Sequence, residues 1–208
     1  ELSGGSLRFA DPEGLEHEFL AGAMEDEPLR AYSPEIPVEH ALQGFAGVRA
    51  YSNAPVHSER LLGQAMGFSR EPGQPWQARG EHRGGFYALD LAPPEIHRAQ
   101  GAGTVHHVAF AAVTDELEGW REQVIVAGAH ATPVIDRFYF KSVYFREPSG
   151  VLFEIATIGP GFAVDEDEAH LGEGLSLPPP LEQMRAKLES ALTPLPYPPA
   201  WRADASAG

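Results

Sequence analysis

Two stretches lying far apart in this chain spell the same hairpin. Ser6-Leu7-Arg8-Phe9-Ala10-Asp11-Pro12-Glu13-Gly14-Leu15-Glu16-His17-Glu18-Phe19 aligns with Ser142-Val143-Tyr144-Phe145-Arg146-Glu147-Pro148-Ser149-Gly150-Val151-Leu152-Phe153-Glu154-Ile155. Each reads as an apolar strand, an acidic-Pro-x-Gly turn and a second apolar strand ending in Glu plus an apolar residue. Pro and Gly supply the turn geometry. Shared Phe, Pro, Gly and Glu at fixed offsets point to duplication, and a repeated unit constrains a fold more than any local propensity does. Glu18 then takes the place of Glu154.

The rest of the chain fits units built around such hairpins. Upstream of the second hairpin, Thr104 to Phe110 reads as a strand. A helix from about Thr114 to Ala127 follows, with Thr114 as cap, Asp115 and Glu116 at the positive end of its dipole, and Gly128 as its stop. Leu117, Trp120, Val124 and Ala127 form its apolar stripe. A strand near Thr132 to Phe138 leads into the hairpin, giving β-α-β-β-β. An earlier unit repeats the order: a strand near Phe45 to Ser52, a helix opened by Asn53 and Pro55 and stopped by Gly67, and a last strand over Gly84 to Leu91. The expected fold class is therefore α+β, with repeated βαβββ modules forming cupped mixed sheets and helices outside. The expected organisation is 1–20 as the end of a preceding module, 21–43 as a linker, 44–100 as one module, 101–158 as another, and 159–208 as a loop, a docked closing helix through Leu181, Met184, Leu188 and Leu192, and a Pro-rich tail.

Composition narrows the function. The 208 residues carry 15 Lys+Arg against 30 Asp+Glu, a net charge of −15, which argues against nucleic-acid binding. With no cysteine, disulfides, thiol nucleophiles and iron–sulfur sites are excluded, so any metal must use His and carboxylate. No apolar run approaches the roughly 18 residues of a membrane span, and no signal peptide opens the sequence. A cytoplasmic location is expected, with no membrane or nucleic-acid partner; a homo-oligomer is allowed. No Gly-rich nucleotide loop or Gly-x-Ser-x-Gly turn is seen.

Two residues look out of place in the 101–158 unit. A strand of Val, Ala and Phe has little reason to carry His106-His107, and Phe153-Glu154-Ile155 sets a carboxylate amid apolar neighbours, where an unpaired charge costs several kcal/mol. Taken singly, His107 reads as a hydrogen-bonded core histidine and Glu154 as an edge-facing acid. Taken together inside a repeated unit, they read as ligands of one cation.

With these residues in view, the chain resembles the vicinal-oxygen-chelate superfamily of glyoxalases, bleomycin-resistance proteins and extradiol dioxygenases. The Val-His-His-Val-Ala-Phe strand, Thr132-Pro133-Val134-Ile135-Asp136-Arg137, the Tyr-Phe-Arg-Glu-Pro-x-Gly-Val-Leu-Phe-Glu-Ile-Ala-Thr stretch and Pro160-Gly161-Phe162 carry the likeness most specifically. The branch it resembles is that of ring-cleaving dioxygenases acting on hydroquinone-like phenols. That resemblance implies iron(II), or manganese(II), held by two histidines and a glutamate. His107 matches the second histidine and Glu154 the glutamate, while the first comes from an N-terminal module absent from this sequence. It also implies catalytic roles for His106, Arg137 and Tyr144, a small aromatic substrate and O2. Two histidines and a carboxylate suit non-haem iron because they fill one face and leave positions open.

The residues themselves leave some roles open. Tyr144 is either a core aromatic with a wet hydroxyl or a cleft residue beside Glu154. Arg137 either pairs with Asp136 at the surface or meets a phenolate. Strict alternation sends His106 to the face opposite His107 unless Gly101 and Gly103 bend the strand start. Gly47 aligns with His107, so Glu18 faces no histidine and 1–91 is expected to be mostly scaffold; of His17, His40, His57, His82, His97, His130 and His170, most are expected at the surface. The lone first hairpin suggests a fragment of a longer protein. The competing functions are a glyoxalase-like metal-dependent isomerase or lyase, which usually wants a further carboxylate ligand, and a non-catalytic protein sequestering an aromatic drug or quinone.

Overall fold

The computed structural model describes residues 2–3, 5–22, 26–30, 35–92, 101 and 104–193. Their strands form three sheets. β1 (Leu2–Ser3), β2 (Ser6–Ala10) and β3 (Glu16–Leu20) make an antiparallel ribbon. In the second sheet β4 (Gly47–Ser52) and β5 (Trp76–Arg79) flank β6 (Gly84–Leu91), β4 parallel and β5 antiparallel to it. The third has the order β7-β10-β9-β8, from β7 (Val108–Ala112), β8 (Ile135–Asp136), β9 (Lys141–Arg146) and β10 (Leu152–Thr157). There β10 runs parallel to β7 and antiparallel to β9. The α+β class with mixed sheets is as expected from the sequence.

The hairpin repeat is physical as well as textual. Gly14 and Gly150 hold φ of 91° and 94°, a left-handed backbone that glycine adopts without steric cost. Asp11 N donates to Leu15 O and Gly14 N to Asp11 O; Glu147 N donates to Val151 O and Gly150 N to Glu147 O. Asp11 Oδ1 takes the Leu15 amide (2.9 Å) as Glu147 Oε1 takes that of Val151 (3.2 Å). The Leu15 amide is the main reason the Asp11 carboxyl sits below its usual range.

The helices differ in detail from their sequence signatures. Thr114 caps nothing: Thr114–Glu116 is a 3₁₀ turn that runs into α1 (Leu117–Val126), which Gly128 (φ 101°) ends. After β4, Pro55–Ser58 is a 3₁₀ turn and Arg60–Ala65 a π-helical one, not a single α-helix. Gly67 (φ 69°) follows. The strand expected from Thr132 is ordered as β8 over Ile135–Asp136 alone. The closing helix exists as the 3₁₀ turn Pro179–Met184 and α2 (Arg185–Ala191) but buries no residue, so it is not docked as its spacing suggested. The Pro-rich tail from Pro194, His97 and Gly103 lie outside the described residues.

One apolar core joins the last two units. Leu61, Leu62, Ala65 and Met66 from the π-helical turn pack with Trp76 and Tyr87 of the second sheet and with Leu117 and Val124 of α1. They also meet Val143, Phe145, Phe153 and Ile155 of the third sheet. Each of the Leu, Ile, Val, Phe and Met side chains among them contributes about 1.5–3 kcal/mol on burial. A polar seam runs beside the core. Ser58 Oγ donates to Glu147 Oε2 (2.6 Å) and Ser149 Oγ to Ser52 Oγ (2.6 Å), with Ser52, Ser58 and Glu147 all buried. Part of the expected linker is anchored too: the Asp26 carboxylate accepts from both terminal nitrogens of Arg79 (2.6 and 3.0 Å) and from Gly84 N (2.9 Å).

Candidate metal centre

The third sheet sorts its side chains by pleat, since alternate residues face opposite sides. Val143, Phe145, Phe153 and Ile155 enter the core. Glu154 is opposite Tyr144 on β9 and beside Ala109 on β7, and so faces away from that core. His107 lies just ahead of β7, and its side chain reaches the same side. Its Nε2 lies 2.8 Å from Glu154 Oε2, and the Tyr144 hydroxyl donates to Glu154 Oε1 at 2.5 Å. The Glu154 side chain is 4% exposed against 34% for His107, so a buried carboxylate sits at the floor with an accessible imidazole above it. Both oxygens are engaged, which relieves the desolvation that burial imposes.

Supporting contacts fix this arrangement from behind. Tyr144 N donates to Thr132 Oγ1 (3.0 Å) while Thr132 N donates to Tyr144 O (2.9 Å). Arg121 Nε reaches the Thr132 carbonyl (2.8 Å). Sequence reasoning passed over Thr132 as a partner, because a threonine preceding a proline signals only an extended backbone.

The other candidates gather at the same place. The Arg137 guanidinium lies 5.5 Å from the centroid of the Tyr144 ring, a cation–π contact, while Asp136 Oδ1 accepts from Phe138 N (2.8 Å). His106 needs no glycine-driven bend: β7 starts at Val108, so the pleat does not yet govern it, and its Nδ1 is 2.8 Å from that of His107. His106, Arg137 and Tyr144 are thus clustered about the His107–Glu154 pair. The remaining described histidines, His17, His40, His57, His82, His130 and His170, are exposed.

The donor set supplies two of the three ligands that a two-histidine, one-carboxylate metal site requires. Imidazole and carboxylate from His107 and Glu154 suit iron(II) or manganese(II). Among the described residues no third His, Asp or Glu joins them.

The first hairpin repeats the carboxylate without the site. Glu18 is opposite Arg8 and accepts from it (3.3 Å) and from Arg49 Nε (2.8 Å). Arg49 is the main cause of the Glu18 carboxyl lying below its ordinary range. At Gly47, a Cβ would stand 2.4 Å from the Phe86 carbonyl oxygen. No ligand side chain fits there.

Residues 58–155 match the family model of the Glyoxalase/Bleomycin resistance protein/Dioxygenase superfamily, and this stretch is a domain of that superfamily. Its relatives include the Bacillus subtilis (strain 168) protein named "Putative ring-cleaving dioxygenase MhqO", 38% identical over 191 residues, covering 90% of this chain and 61% of the relative. The chlorohydroquinone/hydroquinone 1,2-dioxygenase of Sphingobium indicum is 31% identical over 175 residues, 75% of this chain and 51% of that protein. The crystal structure of a "putative dioxygenase" from Bacillus subtilis subsp. subtilis str. 168 superposes with a TM-score of 0.81 at 38% identity, over 92% of this chain and 62% of the other. The names of these relatives support the hydroquinone-type branch that the sequence resembles. The chain spans about three fifths of the length of the first relatives it matches. No helix among the described residues is long and apolar enough to cross a membrane.

Proposed function

We propose that the protein is a ring-cleaving dioxygenase of the extradiol type, acting on a hydroquinone- or catechol-like ring with O2 and a non-haem metal. His107 and Glu154 would hold iron(II), or manganese(II), with a third ligand from outside the described residues. The bound cation would lower the pKa of a substrate hydroxyl and bring substrate and dioxygen to neighbouring positions. The observation that carries the reading is the 2.8 Å approach of the His107 imidazole to the buried Glu154 carboxylate, on the side of the sheet away from the core.

The surrounding side chains have separate tasks. Arg137, over the Tyr144 ring, offers a fixed cation to the phenolate of the substrate. Tyr144, bonded to Glu154 through its hydroxyl, orients the carboxylate and can pass a proton to an oxygen of the opening ring. His106, exposed and beside His107, is placed to take the proton that a substrate hydroxyl loses on binding. Both atoms of O2 enter the product, so the reaction needs no external reductant.

The test is anaerobic reconstitution of the full-length protein with iron(II), followed by oxygen consumption with hydroquinones and catechols. Uptake of one O2 per ring, with a product heavier by both oxygen atoms, is the expected result. Metal binding without uptake would favour a glyoxalase-like isomerase or lyase, and ring binding without metal a sequestering protein; either would overturn the proposal.

A further inference from the structure

Phe138 is the only residue other than glycine with a positive φ among the described residues, at 72°. Glycine adopts such a backbone freely; for a bulky side chain it is an outlier. The residue heads the two-residue turn between β8 and β9, closed by Arg137 N donating to Phe140 O at 2.8 Å. Hairpins of this length favour positive φ at the first central position and fill it with glycine, asparagine or aspartate. Here the chain keeps a phenylalanine instead.

The turn is tied from several sides. Phe138 N donates to Asp136 Oδ1 (2.8 Å), and Gly161 N donates to Tyr139 O (2.8 Å). The Tyr139 hydroxyl donates to Asp165 Oδ2 (3.1 Å), and its ring lies 5.4 Å from that of Phe162 and 5.0 Å from that of Phe138. Thr157 Oγ1 accepts from Lys141 N and donates to Gly159 O, joining the start of β9 to the same segment. Strained backbone persists where its surroundings fix it, and such places gather at functional sites. The residue next to Phe138 is Arg137, whose guanidinium sits above Tyr144, the cross-strand partner of Glu154.

We propose that Phe138 is a positioning residue that acts through Arg137, holding its guanidinium above Tyr144 so that an anionic hydroxyl of a bound aromatic ring meets a preset cation. The proposal rests on the ring-cleavage reading of the site. It gives a role to a costly residue at a position where glycine would fold more easily.

The test compares Phe138→Gly, Arg137→Ala and the double variant in the full-length, iron-loaded protein, with hydroquinone as substrate and the melting temperature as a second readout. Phe138→Gly is expected to melt no lower than the parent, because strain is relieved. Its KM for hydroquinone should rise about tenfold, the scale of one charge-assisted contact, with kcat little changed. Arg137→Ala should raise KM alike, and the double variant should be no worse than Arg137→Ala alone, as two residues acting as one unit require. A lower melting temperature with unchanged KM would make Phe138 a packing residue only, and multiplying KM effects would separate it from Arg137; either overturns the proposal. A parent that takes up no oxygen with hydroquinones would fell the ring-cleavage reading and this proposal with it, whereas an active parent with a silent Phe138 variant would fell this proposal alone.

Discussion

Glu18 and Glu154 stand at the same place in two like hairpins, yet the first is gripped by Arg8 and Arg49 and the second by Tyr144 and His107. A guanidinium is a permanent cation, so Glu18 already has the charge that Glu154 would take from a metal. Glu18→Gln should leave the metal content of the protein unchanged and cost on the order of 1 kcal/mol of stability, as partly exposed ion pairs do. Glu154→Gln or His107→Ala should abolish metal retention. Elemental analysis of the three variants reads both halves, and iron lost from the Glu18 variant would contradict the division of roles.

Contacts between arginines and carboxylates also set an acid dependence. Arg79, with help from the Gly84 amide, lowers the Asp26 carboxyl to about 2, and Arg49 lowers that of Glu18. A carboxyl depressed in the folded state binds fewer protons folded than unfolded. Its contribution is therefore complete above the ordinary carboxylate range near pH 4 and fades as pH falls toward 2. Melting temperatures measured at pH 6, 4 and 3 should fall less steeply for Asp26→Asn than for the parent. Parallel curves would mean that the Asp26–Arg79 contact does not hold the 26–30 segment to β5 and β6 in solution.

Much of this was legible in the sequence, for identifiable reasons. The two hairpins could be read because their turns demand Gly14 and Gly150 at left-handed φ, and no other residue substitutes cheaply. His107 and Glu154 could be read because a polar residue amid Val, Phe and Ile asks for a partner. The π-helical turn Arg60–Ala65 could not, since the apolar spacing of Leu61, Leu62 and Ala65 suits an α-helix equally well. Nor could the loose packing of α2: helical spacing shows a face but not whether any core awaits it. The Arg137–Phe140 turn was hidden because Phe138 and Tyr139 carry no turn chemistry, and the Ser58–Glu147 contact because it joins residues of different units.

That last contact carries a prediction about stability alone. Glu147 is 1% exposed, and Ser58 supplies the shorter of its two donors. Ser58→Ala would leave a buried carboxylate oxygen short of a partner, a cost of about 2 kcal/mol. The melting temperature should drop by several degrees for a chain of this size. Metal content and KM should not move, because the seam's hydrogen bonds share no residue with those of His107 and Glu154. A Ser58→Ala protein that melts like the parent would show that the seam contributes nothing to joining the two units.

Tyr144→Phe tests whether the Tyr144 hydroxyl takes part in turnover. The ring that Arg137 covers is retained and Glu154 keeps its contact with His107, so metal retention and hydroquinone KM should stay close to the parent values. Only the hydroxyl that donates to Glu154 Oε1 is removed. If that hydroxyl moves a proton during ring opening, kcat should fall by about 10²-fold, the lower end for general acid–base groups. Steady-state rates, measured on protein of verified iron content, provide the check: an unaltered kcat would remove the proton role of the Tyr144 hydroxyl and leave His106 as the one residue of the cluster placed to handle protons.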